Sequence, residues 1–269
     1  MIPVIFIHAG NQKYLQTAID QAKRYNERVA LIGGASNSGF TEDHTLWAEM
    51  FRDDLAGIYR HMNFTTEQSI RRNIERWFAL KRWMEANGEE RAFYADSDLM
   101  LYCDVDNVIA DYGLSIASLS ICVKPWPAGT SASGHCSYWS LEALQDFCKF
   151  VRNMYTTNRG LMVLQYKWAA HLLMRKPGGV CDMTLLYVWS LGKDVINNAK
   201  VKGAATFDEN INVADNSVPD EYRMKEGIKE VKTIDDWPHG YNEHRQEWIA
   251  FNGLHFQGKA KRLMEGYKG

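Results

Sequence analysis

Two short apolar runs with a helical stretch between them, at the start of the chain, limit its fold more than any other feature. Residues 3–7 and 28–32 predict buried strands, and residues 12–25 carry apolar side chains at helical spacing. Two strands joined by a helix are typical of a β-α-β unit, in which the strands run parallel. The sequence therefore predicts an α/β fold with a mainly parallel central sheet flanked by helices.

The rest of the chain continues this pattern and then becomes less regular. Further strands are expected around residues 58–59 and over residues 92–95, 114–123, 136–139 and 207–213, and helices over residues 67–86, from 140 onward, and over 161–174. Residues 217–236 are charged and predict a loop. Since the sequence has no internal repeat and no low-complexity linker, we expect one domain over residues 1–269 with an irregular C-terminal part.

Composition excludes several classes of protein. The chain has 269 residues, 46% of them hydrophobic, and a net charge of −2, which argues against a large basic surface for nucleic acid. Its five cysteines include no Cys-x-x-Cys pair, which favours reduced thiols. No apolar stretch approaches the length of a membrane span, and the short apolar start lacks a basic lead. We therefore expect a soluble, cytoplasmic protein and leave peripheral membrane contact open.

An acidic pair, Asp96 and Asp98, follows the apolar run of residues 92–95. Residues two apart on an extended chain point to the same side, and two carboxylates held so close repel unless a cation or a proton lies between them. Magnesium and manganese ions prefer carboxylate oxygens. An ordinary acidic turn after a strand is the alternative. Asp-x-Asp alone does not decide between the two.

The C-terminal segment holds a second group of polar residues. His255 lies in an apolar stretch, where a core histidine is the usual interpretation, but Gly258, Lys259 and Lys261 follow it closely. Glycine allows the backbone to approach a ligand, and lysine suits phosphate oxygens. Imidazole nitrogen joins carboxylates around transition metals. Asp96, Asp98 and His255 could therefore form a metal site.

Two other positions have open alternatives. Asp182 precedes an apolar helix and either is the N-cap of that helix or has a catalytic role. The basic residues of the predicted helix 67–86 either form a solvated face or contribute one or two side chains to a phosphate. No Gly-x-Gly-x-x-Gly or Walker pattern follows the first strand, so a dinucleotide fingerprint and a P-loop are both missing.

Together, the β-α-β opening, the strand that ends in Asp96-Ser97-Asp98 and the tail His255-x-x-Gly258-x-x-Lys261 resemble a GT-A-fold glycosyltransferase. The tail is most similar to the retaining branch of family eight, which includes glycogenin and galactosyltransferase-like enzymes. This resemblance implies a nucleotide-binding half over residues 1–110 and an acceptor-binding half with the metal and diphosphate tail over 111–269. The family tail usually continues Pro-Trp after its lysine, whereas Arg262-Leu263 follows here.

The resemblance also implies roles for individual residues. Asp96, Asp98 and His255 would hold Mn²⁺ or Mg²⁺ against the diphosphate of a UDP- or GDP-linked sugar, and Asp182 would face the sugars. The remaining site residues fall into two groups: the donor and diphosphate residues His8, Ala9, Gly10, Asn11, Gly258, Lys259 and Lys261, and the acceptor or sugar residues Gly134 and His135.

The mechanism implied is metal-assisted transfer of a sugar to a glycan or other hydroxyl acceptor. A retaining enzyme needs no protein base, whereas an inverting one needs a base, for which Asp182 is the candidate. Two other functions remain open. A metal-dependent phosphohydrolase also uses Asp-x-Asp, but normally on its first strand. A non-catalytic protein of the same fold would bind a sugar nucleotide or glycan without transferring it.

Overall fold

The first apolar run of the chain forms a strand in the middle of a large sheet. The computed structural model describes residues 1–113, 116–122, 124, 126–127, 129 and 131–268. Strand β1 (Val4–His8) is followed by helix α1 (Lys13–Lys23) and strand β2 (Val29–Gly33), and β1 pairs with β2 in parallel. The predicted β-α-β opening is confirmed.

The other elements of the described residues follow in chain order. The strands are β3 (Asp43–Leu46), β4 (Arg91–Ala95), β5 (Leu99–Leu101), β6 (Ala117–Cys122), β7 (Ser131–Ser133), β8 (Cys136–Ser140), β9 (Val195–Asn197), β10 (Ala205–Phe207), β11 (Met224–Lys225), β12 (Ile228–Lys229), β13 (Val231–Ile234), β14 (Trp237–Asn242) and β15 (Glu247–His255). The α-helices are α2 (Trp47–Met50), α3 (Glu67–Asn87), α4 (Val105–Tyr112), α5 (Leu141–Thr156), α6 (Asn158–Leu173) and α7 (Asp182–Ser190), and 3-10 helices span Ala35–Asn37 and Gly258–Tyr267.

The first sheet is mainly parallel, as predicted. Its strand order is β3-β2-β1-β4-β8-β6-β7, and β9 pairs with β6. The pairs β1–β2, β1–β4, β2–β3 and β6–β9 are parallel, while β8 and β7 add antiparallel pairs. The carboxyl ends of β1 and β4 therefore lie side by side, where open α/β sheets present their ligand sites.

Both faces of the first sheet are covered, because alternate side chains of β1 enter two different cores. Ile5 and Ile7 pack in one core with Trp77 of α3. Val4 and Phe6 enter the other core, which contains residues of α1 and of the C-terminal strands. Alternation of this kind is expected for a strand that is buried on both faces.

The C-terminal part, predicted as irregular, contains a second sheet. Its strand order is β10-β15-β14-β13, and β5 pairs with the end of β15. The predicted strand over residues 207–213 is wrong beyond Phe207, because the side chain of Asp208 turns into the interior and pairs with Lys229. The predicted loop over residues 217–236 contains the short strands β11, β12 and β13.

Two strand predictions differ from the structure, one entirely and one in its bounds. Residues 58–59 are not a strand, since Ile58 and Tyr59 pack against the core from a turn and its continuation. The third strand along the chain is instead β3, at the edge of the first sheet. Of the strand predicted over residues 114–123, residues 117–122 form β6, and residues 114, 115 and 123 lie outside the described part.

Two helix ends carry residues that are typical of helix caps. Helix α3 ends at Gly88, whose φ of +68° and whose N–H bond to the carbonyl of Met84 are typical of a glycine C-cap. Helix α5 begins after Ser140, whose Oγ accepts from the N–H of Ala143 at 3.2 Å. Within the described residues, none of the helices is both long enough and apolar enough to cross a bilayer.

Candidate metal centre

The acidic pair lies in a turn that crosses from the first sheet to the second. Strand β4 ends at Ala95 in the first sheet, and β5 begins at Leu99 in the second. The N–H of Asp96 donates to the carbonyl of His135 at 2.7 Å, and the N–H of Leu99 donates to the carbonyl of Asp96 at 3.0 Å. These bonds fix both ends of the turn, so the backbone of the acidic pair is held by both sheets.

Among the described residues, the bonds to the Asp96 carboxylate all go to one of its two oxygens. Its Oδ1 accepts from the hydroxyl of Tyr94 at 2.5 Å and from Nη1 of Arg76 at 2.7 Å. Among the described residues, none bonds to its Oδ2, and the side chain is 24% exposed. One oxygen of Asp96 is therefore positioned by the protein while the other is open to a ligand.

Asp98 lies deeper, between two basic side chains. Its Oδ1 is 3.5 Å from Nε2 of His255, and its Oδ2 is 3.1 Å from Nζ of Lys261. Burial opposes ionisation of Asp98, but the hydrogen bond and charge of His255, together with Lys261, outweigh it and hold the pKa of Asp98 well below its usual value. Asp98 is therefore a carboxylate at neutral pH.

His255 is oriented by the backbone that it meets at the end of β15. Its Nδ1 donates to the carbonyl of Glu209 at 2.7 Å, and its own backbone N–H donates to Oδ2 of Asp208 at 3.1 Å. With Nδ1 so engaged, Nε2 is the nitrogen that faces Asp98. A carbonyl bond on the far ring nitrogen is the usual support of a metal-binding histidine.

A second imidazole stacks on His255. The ring of His135 lies 4.1 Å from that of His255 at an angle of 11°. Burial lowers the pKa of His255, but Asp98 and Asp96 outweigh burial and raise it to about 9, whereas burial and the charge of His255 keep the pKa of His135 well below its usual value. One ring of the stack is therefore charged and the other neutral.

The ligand atoms lie close enough together for one ion. One oxygen each of Asp96 and Asp98 and a ring nitrogen of His255 all lie within 4.8 Å of one another. Ligand atoms bound at about 2.0–2.2 Å to one ion are at most about 4.4 Å apart, so only a small adjustment is needed. Two hard oxygens and an imidazole nitrogen, which would lose its proton when the ion binds, fit Mn²⁺ or Mg²⁺.

Arg76 is a residue of the site that sequence reasoning did not single out. Its Nη1 bonds to Asp96, and its Nη2 bonds to Oδ2 of Asp182 at 2.6 Å. The basic face of α3 therefore does contribute one side chain to the site. A signal was present, because Leu80 and Trp83, four and seven residues further along α3, are buried and share the helix face of Arg76.

Asp182 is brought to the site but not as an N-cap. The N-cap of α7 is Cys181, and Asp182 is the first helical residue. Its side chain is 4% exposed and reaches Arg76 rather than the end of its own helix. Its catalytic role stays a prediction.

A buried group beneath the site was missed altogether. Asp208, whose carboxylate receives the N–H of His255, pairs with Lys229, and both side chains are 0% exposed. Lys229 also donates to the carbonyl of Asp215 at 3.0 Å and to Oδ1 of Asn216 at 3.2 Å. No local pattern marks a pair whose members are separated by about twenty residues of irregular chain.

The other predicted site residues occupy different surroundings. His8 ends β1, and its Nε2 is 2.5 Å from Oε1 of Gln12. Ala9, Gly10 and Asn11 follow at the same sheet edge as the acidic turn. Their role in binding a nucleotide stays a prediction.

The remaining predicted residues, two in the tail and two near the expected sugar site, lie in four different surroundings. Gly258 adopts a φ of +62°, and Lys259 lines a groove beside the hairpin β11–β12 rather than contacting Asp98. Gly134 packs against the ring of Trp77. His135 is 1% exposed, and its ring nitrogens meet Oγ of Ser133 and the carbonyl of Asp208, each at 2.8 Å. Direct contact of Gly134 or His135 with a sugar stays a prediction.

Comparison with known proteins gives similarity at the level of solved structures alone. No protein-family model matches the sequence, and no curated protein matches it. The structure is similar to mouse xyloside xylosyltransferase 1 in its apo form, with 10% identity, 71% of this chain and 81% of that chain covered, and a TM-score of 0.47.

Two further solved structures are similar to the chain. One is a glycosyltransferase involved in the glycosylation of the major capsid of PBCV-1, with 11% identity, 98% of this chain and 99% of that chain covered, and a TM-score of 0.42. The other is the galactosyltransferase LgtC in complex with donor and acceptor sugar analogs, with 10% identity, 72% of each chain covered, and a TM-score of 0.36. At these TM-scores the similarity assigns neither a family nor an activity.

Proposed function

We propose that this chain is a metal-dependent glycosyltransferase, which moves a sugar from a nucleoside-diphosphate donor to a hydroxyl group of a glycan or other acceptor. One observation carries the proposal. Asp96, Asp98 and His255 converge at the carboxyl end of β4, and Lys261 adds an ammonium group beside them. A cation site next to a lysine is suited to a diphosphate, which needs more positive charge than one residue supplies.

In this proposal each residue of the centre has a separate task. Asp96, Asp98 and His255 hold Mn²⁺ or Mg²⁺, which when bound supplies Lewis-acid stabilisation of the negative charge on the departing diphosphate. Arg76 and Tyr94 keep Asp96 oriented through its Oδ1. Lys261 gives up its contact with Asp98 and donates to a diphosphate oxygen.

The donor would lie along the edge that β1 and β4 share. We assign the base and ribose to residues 8–11 and the diphosphate to Gly258, Lys259 and Lys261, so that residues 1–110 form the nucleotide half of one domain and residues 111–269 the acceptor half. What supports this is the parallel pairing of β1 with β4, which brings the carboxyl ends of both strands together beside the acidic turn.

We further propose that transfer retains the configuration of the sugar. Asp182, the candidate base for inversion, is bonded to Arg76 at 2.6 Å, and taking up a proton would break that ion pair. In the retaining reaction the bond from the sugar C1 to the diphosphate oxygen breaks, and the acceptor oxygen bonds to C1 on the same face. The acceptor proton passes to the departing diphosphate, so no protein base is required.

The test is a thermal-shift titration of UDP and GDP, with and without Mn²⁺. A ligand at a hundred times its Kd stabilises the native state by about 2.7 kcal/mol. We expect the nucleotide to raise the Tm only when Mn²⁺ is present, and Asp98→Ala to lose that shift. Asp194→Ala, at an exposed position outside the site, is the matched control. A shift of wild-type size in Asp98→Ala would refute the metal site.

Activity separates the transferase from its alternatives. Incubation with a panel of UDP- and GDP-sugars, Mn²⁺ and oligosaccharide acceptors should release nucleoside diphosphate together with a lengthened acceptor. Metal-dependent binding without release would indicate a binding protein, and release of inorganic phosphate would indicate a phosphohydrolase. His255→Ala should lose binding and keep its fold; a large loss of stability would instead support a core histidine.

A further inference from the structure

A groove on the second sheet, remote from the candidate metal centre, has the chemistry of a sugar-binding site. It has a volume of about 670 Å³ and lies between α4 and the strands β10, β14 and β15. This volume is typical of ligand sites, which span about 300–1,000 Å³. None of its lining residues belongs to the candidate metal centre.

The floor of the groove is made of small residues. Gly203, Ala204, Ala205 and Ala250 line it, and the register of β10 with β15 places Ala205 directly beside Ala250. Gly203 and Ala204 are exposed in the turn before β10, while Ala205 and Ala250 lie on the sheet, where small side chains leave a depression that larger side chains would fill. The depression is therefore encoded by the sequence of two paired strands.

Aromatic side chains stand at the sides of the groove. Trp237, Trp248, Tyr25 and Tyr112 line it, and Trp237 is 41% exposed. Nε1 of Trp237 donates to the carbonyl of Tyr102, which anchors the edge of the indole. A fixed aromatic ring that remains exposed gives a flat apolar surface at little cost in conformational entropy.

Polar groups complete the lining, and Nζ of Lys202 lies 5.1 Å from the centre of the Tyr112 ring in a cation–π contact. Among the described residues, none forms a hydrogen bond or ion pair with the carboxylate of Asp111, with Nζ of Lys202 or with Nε2 of His239. Nδ1 of His239 is 2.9 Å from the carbonyl of Trp237, which leaves Nε2 as the ring nitrogen that can meet a ligand. Acceptors and a donor are thus available beside the aromatic rings.

This combination selects one class of ligand. Sugar rings offer apolar C–H faces for aromatic stacking and hydroxyl groups that both donate and accept hydrogen bonds. Two carboxylates, Asp104 and Asp111, against one ammonium, Lys202, disfavour nucleotides and other anions. We propose that this groove binds a neutral oligosaccharide.

The proposed groove is independent of the proposed transferase activity. Ala250 and Asn252 line it, while His255 of the candidate centre lies three residues further along β15, about 10 Å away. The groove would therefore hold a glycan without contact with the acidic turn.

The test is calorimetric titration of the full chain with neutral hexasaccharides in the presence of EDTA, which keeps divalent metal out of the candidate centre. The probes are maltohexaose, cellohexaose, xylohexaose, mannohexaose and chitohexaose, with hexagalacturonate as the anionic comparison. We expect at least one neutral glycan to bind at millimolar concentration or below and hexagalacturonate to bind more weakly.

Variants connect the binding to the groove. Trp237→Ala should weaken the Kd about fivefold or more, since it removes an aromatic contact surface. Asp111→Ala, at an exposed position to which none of the described residues bonds, should weaken it about threefold. Trp47→Ala, which alters a half-buried aromatic outside the groove, and Asp98→Ala, in the candidate centre, should leave the Kd unchanged.

Several results would overturn the proposal. They are the absence of binding by all five neutral glycans, tighter binding of hexagalacturonate, and binding that neither Trp237→Ala nor Asp111→Ala weakens. Binding that Asp98→Ala abolishes would assign the glycan to the candidate centre instead. If Trp237→Ala does not fold, two other variants still test the groove. Trp237→Phe should fold because Phe keeps an aromatic ring, and Asp111→Ala should fold because Asp111 is exposed.

Discussion

The two sheets both hold charged side chains at the acidic turn, but they do so in different ways. On the first sheet, the guanidinium of Arg76 bonds Asp96 and Asp182, and part of this arrangement is open to solvent. Under the second sheet, Lys229 and Asp208 form a fully buried pair that supports His255 through its backbone. A partly open arrangement can exchange a partner for a ligand, whereas a fully buried pair can only fix geometry. The comparison thus separates adjustable groups from fixed ones.

The largest effect should follow from breaking the buried pair. Lys229→Met leaves the carboxylate of Asp208 buried without its cation, which should lower the free energy of unfolding by about 3–5 kcal/mol. Urea unfolding followed by tryptophan fluorescence measures this. Arg245→Met, which breaks the exposed pair with Glu247, is the matched control and should cost about 0–1 kcal/mol.

A double variant sharpens that result. Asp208→Leu combined with Lys229→Met removes both charges and should recover part of the stability, because the uncompensated carboxylate is gone. Equal losses in Lys229→Met and Arg245→Met would mean that the pair under the second sheet is no more important than a surface pair.

A smaller loss is expected on the first sheet. Arg76→Met leaves Asp96 and Asp182 without their shared partner, but water reaches Asp96, whose side chain is 24% exposed, so the cost should be about 2–3 kcal/mol. Arg72→Met, at an exposed position of the same helix, should change little. Arg76→Lys keeps the charge but cannot bond both carboxylates in a fork, and should recover only part of the loss.

The measurement is again urea unfolding, with the Mn²⁺-dependent nucleotide shift as a second readout. If the first-sheet group is adjustable, saturating Mn²⁺ and UDP should reduce the stability difference between Arg76→Met and wild type. If Mn²⁺ and UDP leave the stability difference unchanged, Arg76 belongs to the fixed groups instead.

The smallest of the three effects concerns the contact between α3 and the connection from β7 to β8, which is bonded to the acidic turn. A Cβ on Gly134 would overlap ring carbons of Trp77, and the next residue, His135, accepts the N–H of Asp96. Gly134→Ala should therefore cost about 1–2 kcal/mol through overpacking. Gly39→Ala, where a Cβ meets nothing within 4 Å, is the control. If the two variants are equally stable, α3 shifts to make room for the added Cβ at little cost in free energy.

The sequence is most informative where the pattern is local. The β-α-β opening and α3 follow from apolar spacing and from the cap at Gly88, which depend on neighbours in the chain. Strand β3 has only partly buried or exposed residues at the sheet edge, so it lacks an apolar pattern, whereas Ile58 and Tyr59 are apolar for packing outside any strand. Apolarity reports burial, and burial alone does not identify a strand.

The candidate site divides in the same way. Asp96, Asp98 and His255 could be selected from the sequence because their residue types suit a metal and because the tail resembles a known family. Arg76 could not be assigned, since its partners Asp96 and Asp182 lie 20 and 106 residues further along the chain. The pair of Asp208 with Lys229 needs a turn in an irregular segment, which no periodicity describes.

The acidic turn has one more consequence, because it is the covalent crossing between β4 of the first sheet and β5 of the second. An ion held by Asp96, Asp98 and His255 would be bound both to that crossing and to the end of β15. Partial opening of the second sheet alone would then have to break ligand bonds as well as backbone hydrogen bonds. Ligation at this point would therefore couple the opening of one sheet to the opening of the other.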